Sequence, residues 1–143
     1  MPPTLFEKSA LGLAGLVALF IGASILIAPQ DFYAGYGIPL GPDPSLLSEM
    51  RAPAAALAGF GLLMLLGLWR RALLPTSMAT ALVVFLAFPA GRLVGLAVDG
   101  LPSGPVIGAL VAELILAALC LAAFRRRLWS DPAARAPLSH PAR

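Results

Sequence analysis

Charged side chains are scarce in this sequence. They account for 12% of its 143 residues, and hydrophobic residues account for 59%. An ordinary globular domain has roughly 25% charged and 45–50% apolar residues, and a soluble domain of this size needs many polar groups to cover its surface. The composition therefore excludes a soluble enzyme, a disordered regulator and a disulfide-stabilised scaffold, and it indicates an integral membrane protein.

Side chains suited to redox chemistry and metal binding are also rare. The chain has one cysteine, Cys120, and one histidine, His140. A single cysteine cannot form an intramolecular disulfide, a CxxC pair or a cysteine metal cluster. A single histidine argues against bis-histidine haem, di-iron and zinc sites within one chain. We therefore expect no metal and no cofactor, and the sequence favours a role other than catalysis.

Long apolar runs fill most of the chain and cover about residues 9–28, 44–69, 76–98 and 105–124. A helix needs roughly 20 apolar residues to cross a bilayer core of about 30 Å. The runs are continuously apolar, whereas the strands of a membrane β-barrel alternate. The first run is too long for the apolar part of a signal peptide, so we expect it to be retained. The sequence thus predicts an all-α, up-down-up-down bundle of four transmembrane helices within residues 1–128, and a polar tail at 129–143.

The basic residues flanking the runs fall on one side of the membrane if the chain crosses four times. They are Lys8, Arg70, Arg71, Arg125, Arg126, Arg127, Arg135 and Arg143. The opposite connections, residues 29–43 and 99–104, contain no lysine or arginine. The positive-inside rule therefore predicts that both termini are cytoplasmic. Because these cations mark the ends of apolar runs, they indicate topology and not a surface for nucleic acid.

Small residues four positions apart occur in every run. They are Ala10, Ala14 and Ala18 in the first, Ala55 and Gly59 in the second, Gly91 and Gly95 in the third, and Gly104, Gly108 and Ala112 in the fourth. This spacing lets helix backbones approach closely within a membrane. Each stripe can serve packing inside the bundle, a dimer interface or the docking of another protein, and the sequence leaves these alternatives open.

Four charged residues, Glu49, Arg51, Arg92 and Glu113, lie inside the apolar runs. Inserting one such charged side chain at the bilayer centre costs about 2.5–3.5 kcal/mol, so charged residues inside a membrane span are functional candidates by default. At a rise of about 1.5 Å per residue, all four lie roughly 8–14 Å inside the outer ends of their helices. Their charges sum to zero. We therefore predict one shared polar site near the outer leaflet.

Pairing rules refine this predicted site. Arg92 cannot lose its charge, and Glu113 on the adjacent antiparallel helix is its best-matched partner. Asp99 follows Arg92 by seven residues and lies on nearly the same helix face, so it joins the candidate ligand-binding set. Glu49 and Arg51 are two residues apart, which means that at most one of them points inward.

Two prolines sit close to the charged residues within the second and third runs. Pro53 and Pro89 each remove a backbone hydrogen bond and are expected to kink their helices. Carbonyl groups freed at membrane depth are tolerated where they line a cavity. Kinks and charges together predict a small polar pocket that opens outward. A purely structural ion pair and a contact with a partner subunit remain alternatives.

Several motifs resemble those of a known family. They are YGIP at 36–39, SEMRAPAA at 48–55, GRLVGLAVDGLP at 91–102 and a glutamate inside the fourth run. In these the chain resembles, over about residues 11–124, a bacterial family of small four-helix membrane proteins, domain of unknown function 4345. The resemblance implies that the family pattern includes Glu49, Arg51, Gly91, Arg92, Asp99, Gly100 and Glu113. It also implies the bacterial inner membrane as location. The layout is more loosely similar to DoxX-type proteins, and neither likeness implies an activity.

Three functions remain open at this stage. The first is binding of a small polar or lipid-headgroup ligand at the charged cluster, with a homodimer expected if the protein transports it. The second is an accessory subunit of a larger respiratory or photosynthetic membrane complex. The third is an enzyme that modifies a lipid or isoprenoid, with Glu49 or Glu113 as acid or base. The lipid bilayer is a partner in each case.

Overall fold

The computed structural model describes residues 2–129, and within them the chain is an all-α bundle. Its helices are α1 (Leu5–Ile27), α2 (Pro29–Ala34), α3 (Pro44–Trp69), α4 (Leu74–Val98) and α5 (Gly104–Leu128), with a 3-10 turn at Arg71–Leu73. The four long helices are all long and apolar enough to cross a membrane. The predicted architecture is therefore confirmed. The predicted tail and His140 lie outside the described residues, apart from position 129.

Helix ends follow local capping chemistry and differ from the predicted spans. The helix α1 begins at Leu5 because Thr4 and Glu7 form a reciprocal capping box. The Glu7 N–H donates to the Thr4 hydroxyl at 3.1 Å, and the Thr4 N–H donates to the Glu7 carboxylate at 2.7 Å. The helix α5 continues to Leu128, beyond the predicted limit at residue 124. The short helix α2, with Pro29 in its first turn, was not predicted.

The long helices form a bundle in which α1 and α4 each contact α3 and α5, and α1 also contacts α4 to a smaller extent. The helices α3 and α5 make no contact among the described residues, so they are diagonal to each other. At one end of the bundle, Arg127 of α5 pairs with Glu7 of α1. At the other end, the Ser103 hydroxyl donates to the Tyr36 carbonyl at 2.8 Å. Both ends of the described chain thus meet at one end of the bundle.

The tightest contact in the bundle is the crossing of α1 and α3. A methyl group on Gly22 would lie 2.5 Å from the Ala58 backbone nitrogen and 2.6 Å from the Ala54 carbonyl oxygen. The helices therefore touch backbone to backbone, which is how membrane helices gain van der Waals contact that lipid cannot replace. This crossing fixes the position of α3, and the candidate site lies on the opposite side of the bundle, between α4 and α5.

Candidate functional site

An ion pair joins α4 to α5. The Nε atom of Arg92 lies 2.9 and 3.0 Å from the two carboxylate oxygens of Glu113. The arginine side chain is 31% exposed and the glutamate side chain 14% exposed. The structure thus brings together the two residues for which the sequence predicted pairing. The short connection between α4 and α5 makes these two helices adjacent. Because other carboxylates are scarce at this depth, Glu113 is the partner left for Arg92.

Most of the hydrogen-bonding capacity of Arg92 is left over. A guanidinium has five N–H donors, and both bonds to Glu113 come from Nε. Within residues 2–129, neither Nη group of Arg92 has an acceptor. An arginine that served only to hold two helices together would gain more from a two-nitrogen fork against the carboxylate. The free Nη groups are therefore available to a molecule that is not part of the protein.

A central cavity of about 260 Å³ lies beside this ion pair. Most of its wall is apolar and comes from all four long helices, for example Ile21, Leu57, Val84 and Leu116. One end of the cavity is lined by aromatic residues of α2 and the turn that follows it, namely Phe32, Tyr33 and Tyr36. The Phe32 ring stacks on Tyr36 with centroids 5.2 Å apart and meets Tyr33 edge-on at 5.5 Å. The cavity is thus apolar along most of its length, with polar groups at one side.

A second cavity, of about 250 Å³, lies between α4, α5 and their connection. Arg92 and Val106 line both cavities, so the two spaces lie side by side. Asp99 also lines the second cavity. Its carboxylate folds back along α4, so that a methyl group on Gly95 would lie 3.8 Å from it. The structure therefore brings Asp99 and Arg92 to one cavity, as the seven-residue spacing predicted, although they form no ion pair.

The other two predicted site residues lie elsewhere. Arg51 donates from Nε to the Leu26 carbonyl at 3.1 Å, and the exposed side chain of Glu49 forms no hydrogen bond or ion pair with any residue from 2 to 129. Neither lines the central cavity. The four charged residues therefore do not form the single site that was predicted. The helix α3 is diagonal to α5, and its first buried residue is Ala54, so Glu49 and Arg51 lie before the part of α3 that packs inside the bundle.

Arg51 has a structural role that the sequence did not suggest. It supplies a cation to the C-terminal end of α1, whose own last turn has no basic residue. Carbonyl groups at a helix C-terminus carry partial negative charge, and a nearby cation stabilises them. The interaction joins α1 to α3 from the outside of the bundle.

A second ion pair, which the sequence did not predict, lies at the end of the bundle where the described chain begins and ends. The Nε atom of Arg127 lies 2.7 Å from a carboxylate oxygen of Glu7, and the Glu7 side chain is only 4% exposed. The available signal was the Thr4-x-x-Glu7 spacing, which is typical of a capping box. That spacing accounts for the position of Glu7 and does not reveal its partner at the far end of the chain.

Comparison with known proteins gives one match. No curated protein and no solved structure matches this chain, so the looser likeness to DoxX-type proteins stays a prediction. A family model described as Domain of unknown function (DUF4345) matches residues 6–124. This range contains all four long helices up to Phe124, both cavities and the Arg92–Glu113 pair. The chain belongs to the DUF4345 family.

Proposed function

We propose that the protein binds one amphipathic molecule inside the helix bundle, with the apolar part in the central cavity and the polar head at Arg92. The observation that carries this proposal is a partly exposed guanidinium, with unused Nη donors, in the wall of a mostly apolar cavity. An apolar cavity of this kind holds water poorly. A few placed polar groups on an apolar wall are typical of small-molecule sites.

The charge distribution supports an orientation for this site. The end of the bundle that holds the Glu7–Arg127 pair also holds Arg70 and Arg71, whereas the connections at the other end contain no lysine or arginine. By the positive-inside rule the basic end is cytoplasmic. The second cavity and α2 then face the outer leaflet of the inner membrane, which is where an amphipathic ligand would enter.

A direct test uses photoactivatable lipids. The protein is placed in vesicles that contain phosphatidylethanolamine and phosphatidylglycerol, each in turn replaced by an analogue with a diazirine on one acyl chain, and labelled residues are mapped by mass spectrometry. Adjacent residues provide the comparison. Val84 is 5% exposed and lines the cavity, whereas Val83 is 66% exposed. Leu116 is 8% exposed and lines the cavity, whereas Ile115 is 63% exposed.

Bound lipid should label Val84 and Leu116 as well as the outward-facing Val83 and Ile115. Labelling confined to Val83 and Ile115 would mean that acyl chains only surround the bundle, and the proposal would then be wrong. Because each pair consists of neighbours on one helix, differences in membrane depth cannot account for the result.

Filling the cavity provides a variant prediction. Ala109 lines the central cavity, and Ala109→Phe places a ring in it while leaving both residues of the Arg92–Glu113 pair unsubstituted. We expect labelling of Val84 and Leu116 to fall at least tenfold. Ala118→Phe is the matched control, because Ala118 is exposed on the same helix and lines no cavity described here. Unchanged cavity labelling in Ala109→Phe, with the control also unchanged, contradicts the proposed location.

A further inference from the structure

We infer that the polar head of the bound molecule is zwitterionic, with a phosphate at Arg92 and an ammonium group at Asp99, as in phosphatidylethanolamine. The inference rests on the proposed function and names the class of its ligand. It comes from the second cavity, which has a cation at one end and a carboxylate at the other.

The spacing of the two charged groups suits such a head. Seven residues separate Arg92 from Asp99, which is about 10 Å along a helix axis. The carboxylate of Asp99 folds back over Gly95, less than one turn from Arg92. A guanidinium binds phosphate well, since its planar N–H donors match two phosphate oxygens. A head in which two carbons join the phosphate to the ammonium then places the phosphate at Arg92 and the ammonium at Asp99.

The field at the Asp99 end favours a cation. The helix α4 ends at Val98 and Asp99 is its C-cap, so the last carbonyl groups of α4 point toward this end with partial negative charge. Asp99 is exposed and its carboxylate accepts no hydrogen bond from any residue between 2 and 129. An ammonium group placed here gains from the carboxylate and from the helix end together.

The total charge argues against an anionic head. Arg92 contributes one positive charge, and Glu113 and Asp99 contribute two negative charges, so the site carries one net negative charge. A phosphatidylglycerol head would add a second negative charge to it. A phosphate–ammonium head adds none, and places its own positive charge at the carboxylate that Arg92 does not neutralise.

The two cavities are neighbours and share Arg92 and Val106 as lining residues. The inferred lipid has its head in the second cavity and part of one acyl chain in the central one, and it passes beside these two side chains. The contact between the Ser103 hydroxyl and the Tyr36 carbonyl holds the connection after α2 against the connection before α5. The outer walls of both cavities are thereby joined at the end where the head lies.

Native mass spectrometry with competing lipids tests the inference. The full-length protein in mild detergent is mixed with equal amounts of dioleoyl phosphatidylethanolamine and dioleoyl phosphatidylglycerol, and the ratio of bound lipids is measured. We expect wild type to favour phosphatidylethanolamine and Asp99→Asn to lower this ratio about fivefold, the factor that corresponds to an ion pair of about 1 kcal/mol. Asp99→Glu should keep the preference, because it restores the charge.

Asp31→Asn is the matched control, because Asp31 is an exposed carboxylate at the same end of the bundle that lines neither cavity. The inference is overturned if wild type binds both lipids equally, or if Asp99→Asn and Asp31→Asn change the ratio of bound lipids to the same extent. Glycerophosphoethanolamine, which has the head without acyl chains, should not compete, and competition by it would overturn the assignment to a lipid. If wild type shows no preference between the two lipids but Val84 and Leu116 are still labelled, the inference of a zwitterionic head is wrong, while the proposed binding site in the central cavity stands.

Discussion

Gly61→Ala is expected to lower the free energy of unfolding by about 3 kcal/mol. A methyl group on Gly61 would overlap the backbone nitrogen of Leu19 and lie 2.8 Å from the Gly15 carbonyl oxygen. The obstructing atoms belong to the backbone of α1, so no side-chain rotation can make room and the two helices must separate. Overpacking a well-packed interior costs about 1–3 kcal/mol and occasionally more, and we expect the upper end of that range here. Denaturant unfolding in detergent, followed by Trp69 and Trp129 fluorescence, measures the loss.

The matched control is Gly59→Ala, two residues earlier on the same helix. No atom lies within 4 Å of a methyl group at Gly59, so this variant should stay within about 0.5 kcal/mol of wild type. Both variants gain the same helix propensity from alanine, which means that their difference isolates the contact with α1. Equal stability of the two variants would show that α1 and α3 do not cross as closely as described.

The comparison of Gly59 with Gly61 also shows that the sequence does not predict which side of α3 packs against α1. The spacing of Ala55 and Gly59 predicted a possible seam, yet Gly59 is exposed and Gly61 is at the crossing. Residues two apart point to opposite sides of a helix. Only the position of α1 decides which side is covered, and in a helix that is apolar all round the hydropathy pattern does not give that position. For α1 itself, the stripe of Ala10, Ala14 and Ala18 is buried.

In the candidate site, too, some contacts were predictable from the sequence and others depend on tertiary packing. The Arg92–Glu113 pair was predictable because a charge at membrane depth needs a partner and the two helices are consecutive in the chain. The interaction of Arg51 was not predictable. Its guanidinium donates to a carbonyl group at the C-terminal end of α1, and the approach of α1 to α3 follows from tertiary packing. The sequence predicted a small polar pocket, and the mostly apolar wall of the central cavity was not predictable, because it requires apolar residues from four helices and the unpredicted α2 to leave space between them.

Arg127→Leu is expected to be the most destabilising change among the three consecutive arginines of α5. The Glu7 carboxylate is buried and receives Nε and Nη2 of Arg127 at 2.7 and 3.2 Å. Without Arg127, this carboxylate keeps only the Thr4 N–H as a donor among the described residues. Leaving a buried charged acceptor short of partners costs about 1–3 kcal/mol, and the 29% exposure of Arg127 argues against a larger value. Denaturant unfolding in detergent measures the change.

Arg125→Leu and Arg126→Leu are the controls, because they remove the same charge from neighbouring positions. Both side chains are exposed and form no hydrogen bond or ion pair within residues 2–129, so each change should cost less than about 0.5 kcal/mol. Adding Glu7→Gln to Arg127→Leu should recover part of the lost stability, since a neutral amide needs less compensation than a buried carboxylate. Equal losses in all three single variants would mean that α1 and α5 are held together by apolar packing alone. A selective loss at Arg127 that Glu7→Gln partly recovers assigns to this pair a share in holding the first and last helices of the bundle together.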